Sequence, residues 1–194
     1  KIIITGGLGF IGSNLVRNLL KKKYNIINLD ILNYAAVPDR FKDFTLSKRY
    51  KLIKKSISDK ETIQNILKRN EIDGIINLAA YSHVDRSIDK PEKFISQNIS
   101  SNLSFIDQIN FFSKKKIFNG KFLNISTDEV YGSIEGKASD ENFALLPNSP
   151  YSASKASIDH IIRSYNQTFG LPFINIRCCN NYGPYQFPEK FIPT

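Results

Sequence analysis

In the segment Tyr151-Ser152-Ala153-Ser154-Lys155 a phenol and an ammonium stand four residues apart, a spacing that puts both on one face of a helix. A phenol with an ordinary pKa of about 10 is a poor base at neutral pH, but a neighbouring ammonium favours the phenolate. Such a pair can take the proton of an alcohol while a hydride leaves the same carbon. Upstream, Ser126-Thr127-Asp128-Glu129-Val130-Tyr131-Gly132 carries two adjacent carboxylates behind a threonine. Two carboxyls whose surroundings separate their pKa values can serve as acid and base in one reaction; otherwise the segment is a polar turn with two solvated carboxylates. Neither motif is specific alone, because Tyr-x-x-x-Lys is common on exposed helices.

A third motif supplies the context. In Thr5-Gly6-Gly7-Leu8-Gly9-Phe10-Ile11-Gly12, Gly7, Gly9 and Gly12 fit G-x-G-x-x-G, and Gly6, Gly9 and Gly12 fit G-x-x-G-x-x-G. The turn lies between a predicted strand and an amphipathic helix, the setting that a dinucleotide fingerprint requires. Without side chains, backbone N–H groups can reach a pyrophosphate at the helix N-terminus, and one glycine lets helix and strand pack closely. Asp30 closes the second predicted strand, 18 residues after Gly12. Its carboxylate can accept from a ribose 2′-hydroxyl and would repel a 2′-phosphate. Ile31 and Leu32 follow rather than an arginine, which favours NAD over NADP.

The elements that must position these groups alternate along the chain. Apolar runs predict strands over Ile2–Thr5, Tyr24–Asp30, Lys51–Ile57, Gly74–Ala80, Lys121–Ser126 and Pro172–Cys178. Between them, helical periodicity predicts Phe10–Lys22, with Ile11, Leu15, Val16, Leu19 and Leu20 on one face. Ser58 and Glu61 form a capping box for a helix to about Asn70, with Ile63, Ile66 and Leu67 inward. Pro91 starts a long helix whose apolar face holds Phe94, Ile95, Ile99, Leu103, Ile106 and Ile109, and Ser149-Pro150 starts another, to about Phe169. The pattern is that of an α/β fold, a Rossmann-like doubly wound parallel sheet. Ligands bind at the carboxyl ends of such strands, so the fifth strand would deliver Thr127, Asp128 and Glu129 to the substrate.

Composition narrows the function classes. Of 194 residues, 41% are apolar and 23% charged, too apolar for a disordered chain. No run of 18 apolar residues occurs, so no transmembrane helix is expected, nor is a signal peptide. The sequence contains no methionine, and a processed or trimmed N-terminus is expected. The net charge is +9, from 27 basic and 18 acidic residues. The lysine runs 21–23 and 114–116 fall at predicted helix C-termini, where they complement the macrodipole. No nucleic-acid motif accompanies them, so a solvated basic surface is the preferred reading. Cys178 and Cys179 are adjacent and would point to opposite faces of a strand, which excludes a disulfide framework and suggests a reducing compartment. No metal site is expected.

These residues resemble the extended short-chain dehydrogenases that act on nucleotide sugars, and more closely the dTDP-glucose 4,6-dehydratases among them. The resemblance runs through Ala79-Ala80-Tyr81-Ser82-His83-Val84-Asp85-Arg86-Ser87, Ser126–Gly132, Ser149–Lys155 and 180–190, and covers essentially the whole chain. Thr127-Asp128-Glu129 is its most specific element, since related epimerases and decarboxylases carry Ser or Thr there without the Asp-Glu pair. The resemblance implies that Tyr151, helped by Lys155, takes the sugar 4-hydroxyl proton while hydride passes from C4 to NAD. Glu129 then removes the C5 proton, Asp128 protonates the departing 6-hydroxyl, and hydride returns to C6. Thr127 would hydrogen-bond the 4-hydroxyl.

By the same resemblance, the cofactor is lined by Gly6, Gly9, Phe10, Ile11, Gly12, Asp30, Ile31, Leu32, Asn33, Ile57, Ala79, Ala80, Tyr81, Tyr151, Lys155 and Asn181. Ser82, His83, Thr127, Asn180, Glu189 and Lys190 lie toward the substrate, dTDP-glucose or a related nucleotide sugar. For His83 and the pair Asp85-Arg86, a packed histidine and a local ion pair are equally open. Three positions depart from the family pattern: Tyr81 in place of a glutamate, Ser56 in place of an aspartate at the adenine, and Gln97 in place of a threonine near the nicotinamide. The resemblance further implies an NAD-binding domain over 1–179, the first part of a smaller C-terminal substrate lobe over 180–194, a cytoplasmic homodimer, and no nucleic-acid or membrane partner. The alternatives are another NAD-dependent nucleotide-sugar enzyme, an epimerase or decarboxylase, and a non-catalytic nucleotide-binding remnant.

Overall fold

Short runs of β-branched residues build the sheet. The computed structural model describes residues 1–34, 36, 41–134, 136 and 138–186. Six strands, β1 (Ile2–Thr5), β2 (Ile26–Leu29), β3 (Tyr50–Ile53), β4 (Gly74–Asn77), β5 (Lys121–Thr127) and β6 (Phe173–Cys178), form one parallel sheet in the order β3-β2-β1-β4-β5-β6. All four residues of β2 are buried, as a strand covered on both faces requires. The order reverses direction between β1 and β4, and a crevice opens at the carboxyl ends beside that switch. Three strands stop earlier than predicted: β2 before Asp30, β3 at Ile53 and β4 at Asn77. Past these points the backbone leaves the ladder, and Asp30, Ile31, Lys55, Ser56, Ile57, Leu78, Ala79 and Ala80 line the crevice instead.

Helices cover both faces. On one, α1 (Phe10–Lys21) and the short α2 (Lys42–Thr45) pack Val16 and Phe44 against Ile4 and Ile26. On the other, α3 (Lys60–Arg69), α6 (Ser101–Lys114) and α7 (Pro150–Phe169) bury Ile63, Phe105, Ile109 and Ile162 against Ile3, Ile75 and Phe122. Between β4 and α6 lie α4 (Val84–Asp89) and α5 (Pro91–Phe94). Neither α2 nor α4 is predicted from periodicity, since four and six residues are too few to show it. The cap of α3 is Asp59, not Ser58: its carboxylate accepts from the Thr62 N–H at 3.0 Å and from Lys55 at 2.9 Å. A carboxylate suits a helix N-terminus better than a hydroxyl, and the Ser58 hydroxyl is engaged with Ser56 at 2.7 Å.

The helix predicted from Pro91 is interrupted by a π-helical segment over Ile95–Ser100. Its expected apolar face is only partly correct. Phe94, Ile106 and Ile109 are buried, but Ile95 and Leu103 are exposed. The inward positions carry Asn98, Ser101, Asn102, Gln108 and Asn110 instead, because this helix packs on a buried polar row. Thr5 donates to the Asn77 Oδ1 at 2.7 Å. Asn77 Nδ2 donates to Asn102 at 2.7 Å and to Asn124 at 2.9 Å, and Asn124 donates to Asn175 at 2.8 Å. The row crosses β1, β4, β5 and β6 at the crevice end of the sheet. Buried amides left without partners cost about 1–3 kcal/mol each. Asn77→Ala removes the partner of three buried groups, the Thr5 hydroxyl and the amide oxygens of Asn102 and Asn124, and should lower stability by about 3 kcal/mol or more, read as a shifted urea midpoint at constant slope. A loss under about 1 kcal/mol would show that the row does not tie the strands together.

Candidate active site

The glycine turn is shaped by contact as much as by conformation. Gly6 sits at φ +68° against the Ala79 backbone, and a Cβ at Gly12 would lie 2.3 Å from the Gly6 carbonyl oxygen. The first turn of α1 can therefore rest directly on the loop. Two side chains from the β2 segment brace it: Asn28 accepts from the Gly7 N–H and Asp30 Oδ2 from the Leu8 N–H, both at 2.9 Å. Asp30 Oδ1 accepts from the Leu32 N–H at 2.9 Å. Burial pushes the Asp30 carboxyl up, and these two N–H groups oppose the rise. Each oxygen keeps a second lone pair for a ligand hydroxyl.

A cleft of about 310 Å³ opens where the strands end. It brings together Gly6, Gly9, Phe10, Ile11, Gly12, Asp30, Ile31, Asn33 and Ile57 with Ala79, Ala80, Tyr81, Ser82, Asn180 and Asn181, and at its far end Thr127, Glu129, Tyr151 and Lys155. The glycine cradle, with Asp30 and Tyr151 lining the same cleft, suits a dinucleotide. Ser56, Tyr81 and Gln97, the three departures, all line it. Three expected residues do not. Leu32, at φ +54°, packs its side chain on the α1 core. His83 caps α4, its Nδ1 accepting from the Arg86 N–H at 3.4 Å. Asp128 opens a 3₁₀ turn over Asp128–Tyr131 and accepts from the Thr127 hydroxyl at 3.3 Å and from the Cys179 thiol. Glu189 and Lys190 lie outside the described residues.

Some lining residues escaped the sequence reading, among them Tyr34, Lys55, Ser101, Cys178 and Cys179. The two thiols were expected on opposite faces, but β6 ends at Cys178, Cys179 leaves the strand, and both reach the cleft as free thiols. Asn98 was also missed. It clamps the Tyr81 peptide, accepting from its N–H at 2.8 Å and donating to its carbonyl at 3.0 Å, and reaches Ser154 at 2.9 Å. A buried Asn in a π-helical segment leaves no periodic signal.

Helix α7 delivers the tyrosine and lysine. Ser149 and Ser152 cap it reciprocally, and the Tyr151 N–H donates to Ser87 at 3.1 Å. Tyr151 and Lys155 are each 8% exposed. Burial raises the Tyr151 phenol, the charges of Glu129 and Asp128 raise it further, and a Thr127 hydrogen bond works against them. The expected lowering by the ammonium is therefore not the dominant effect in this structure. Lys155 donates to the Ile125 carbonyl at 2.5 Å, and burial brings its pKa down to about 8. A fall from 10.5 to about 8 is a penalty of roughly 3 kcal/mol on the charged form. The folded state holds this proton less tightly than the unfolded chain, so the penalty is full below pH 8 and disappears as pH rises to 10.5. Lys155→Met should therefore be the more stable protein at pH 7, by up to about 3 kcal/mol less the lost carbonyl hydrogen bond, and its advantage should shrink by pH 10. Urea midpoints at both pH values test this; an unchanged gap would refute it.

The comparisons with known proteins agree with this geometry. The profile of the GDP-mannose 4,6 dehydratase family matches residues 3–194. The dTDP-glucose 4,6-dehydratase of Salmonella typhimurium is 42% identical over 100% of this chain and 58% of its own length. Among solved structures, the dTDP-glucose 4,6-dehydratase of Streptomyces venezuelae with NAD bound superposes with a TM-score of 0.91 at 39% identity, over 99% of this chain and 59% of that one. The Bacillus anthracis enzyme in complex with NAD gives 0.86 at 39% identity, over 99% and 58%. The chain thus spans less than two thirds of the length of these relatives. With a matching profile along nearly its full length, the chain belongs to the GDP-mannose 4,6 dehydratase family.

Proposed function

We propose that this chain is the cofactor-binding and catalytic part of a nucleotide-sugar 4,6-dehydratase that converts dTDP-glucose to dTDP-4-keto-6-deoxyglucose with tightly bound NAD. The carrying observation is Glu129 lining one cleft with Tyr151 and Lys155, next to Asp128. A binding remnant needs none of these groups, and the Asp-Glu pair is what a dehydration adds to a simple oxidation. The similarity to dTDP-glucose 4,6-dehydratases supports the substrate class. Residues 180–194 would open the substrate lobe, and the two free thiols support a reducing, cytoplasmic compartment. No helix of the described residues is long and apolar enough to cross a membrane.

NAD held by the glycine turn, Asp30 and the cleft wall would supply the acceptor for the C4 hydride and the later donor to C6. Asp30 holds the adenosine ribose through its free lone pairs. Tyr151 receives the 4-hydroxyl proton, and the Lys155 ammonium one turn along α7 stabilises the charge that forms. The ketone acidifies the C5 proton, which Glu129 accepts. Asp128, in its protonated form, exchanges its Thr127 partner for the sugar 6-hydroxyl and gives it the proton with which it leaves as water, and Glu129 returns its proton to C5 as hydride is restored at C6. Both carboxylates sit on one short turn, Glu129 facing the cleft and Asp128 beside it, so acid and base are close enough to serve adjacent carbons.

Two expected outcomes test this reading. NAD should bind at least about tenfold more tightly than NADP, the scale of one repelled phosphate near a buried carboxylate, and Asp30→Ser should narrow the ratio; equal calorimetric affinities in the parent protein would reject the role of Asp30. In the full-length protein, Glu129→Gln and Asp128→Asn should still oxidise C4, so the absorbance of the reduced cofactor accumulates while product falls roughly 100-fold or more. Tyr151→Phe should block both. Failure of either carboxylate variant to reduce the cofactor, with substrate bound normally, would show that the labour is not divided this way.

A further inference from the structure

Lys155 carries a cation in a place that should not tolerate one, and the groups around it show how it is kept. Its ammonium is buried at the foot of the cleft and donates to the Ile125 carbonyl. The ionisable groups acting on it, among the described residues, are Asp159 and the Cys178 thiol. Burial holds the thiol neutral, and the Tyr151 phenol is likewise held neutral. Asp128 and Glu129 act on the Tyr151 hydroxyl. The negative charge left to face the ammonium is Asp159, four residues along the same face of α7 and only 4% exposed.

Asp159 is an odd choice for a structural ion pair. Its Oδ2 accepts from Arg177 Nε at 3.0 Å, while its Oδ1 is buried with no hydrogen-bond partner. A buried pair with an unsatisfied oxygen is commonly no more stable than apolar residues of the same size. Arg177, on β6, donates from Nη1 to the Tyr131 hydroxyl at 2.8 Å and to the Glu141 carbonyl at 3.4 Å, and lies 5.0 Å over the Tyr131 ring. Tyr131 closes the turn that begins with Asp128 and Glu129. The carboxylate is therefore fixed by Arg177, which is itself locked to the turn that carries the acid and the base, and it stands one helical turn along α7 from Lys155.

We propose that Asp159, fixed by Arg177, is a positioning residue that keeps Lys155 an ammonium beneath Tyr151. The inference rests on the reading of Lys155 as the cation that serves Tyr151. Arg177 moderates the effect: it orients the carboxylate and takes up part of its field. Removing the carboxylate and removing the guanidinium should therefore move Lys155 in opposite directions, which no loss of packing would do.

The test reads the Lys155 charge itself, independently of turnover. Trace acetylation of the full chain by acetic anhydride, followed by mass spectrometry across a pH series, gives the midpoint at which the Lys155 amine becomes reactive. In Asp159→Asn that midpoint should fall by about one pH unit or more, the scale of one opposite charge nearby. Asp159→Glu should stay close to the parent protein. Arg177→Gln should raise the midpoint, and this variant decides the matter if Asp159→Asn fails to fold. An unmoved midpoint in Asp159→Asn, or a fall in Arg177→Gln, would overturn the proposal. The expected midpoints in a protein that does not dehydrate dTDP-glucose would uphold it and overturn only the proposed function.

Discussion

The amide of Asn77 holds the end of the sheet together, and the site hangs from it. Its oxygen takes the Thr5 hydroxyl, and its nitrogen serves Asn102 and Asn124. Thr5 in turn accepts from the N–H groups of Leu78 and Ala79, where β4 turns into the cleft wall. Asn102 donates to the Asn98 carbonyl at 2.7 Å, and Asn98 clamps Tyr81 and reaches α7 through Ser154. One connected set of buried amides thus links the strand ends, the cleft wall and the helix that bears Tyr151. Apolar packing alone would not specify these relative positions, because it is non-directional. A fully paired polar row is directional, and it is costly in any other register.

Electrostatics divides the cleft into two regions. At the glycine turn one carboxylate, Asp30, is satisfied by two backbone N–H groups, so it can face a ligand without a counter-ion. At the other end Asp128, Glu129 and Asp159 stand against Lys155 and Arg177, with a neutral phenol between them. In the proposed function the first region recognises the cofactor and the second reacts. The segment Ala79–Ser82, which also lines the cleft, carries no charged side chain.

What was legible in the sequence follows from which signals are periodic or fixed in spacing. Gly6–Gly12, Asp30, Tyr151 and Lys155 could be placed because their spacing and flanking elements admit few other structures. The six strands and their parallel arrangement followed from apolar runs alternating with helical stretches. The inward face of α6 was misread because Asn98, Ser101 and Asn102 point in where apolar residues were sought, and the π-helical segment breaks the period. The α3 cap went to the residue after the one expected: both are capping residue types, only Ser58 has the glutamate three residues on, yet it is Asp59 that takes the Thr62 N–H while the Ser58 hydroxyl bonds Ser56. Asp159 and Arg177 carried no signal at all: a lone Asp on a helix and a lone Arg on a strand become a pair only when β6 is laid beside α7.

In the proposed function helix α7 is both scaffold and reagent. Its N-terminal half buries Tyr151, Ser152, Ser154 and Lys155, polar groups whose burial stabilises little by itself. Further along, Ile158 and Ile162 are buried in the large core, with Ile161 and Tyr165 packed against it. The ends are equally unlike: a reciprocal Ser149–Ser152 cap fixes the first turn, and Gly170 at φ +72° closes the last. The apolar half therefore anchors the helix. The polar half is held in register by hydrogen bonds to Ser87, Asn98 and Ile125 instead. Because the anchoring lies elsewhere, the polar half can carry a buried ammonium and a buried phenol at a cost the rest of the helix offsets.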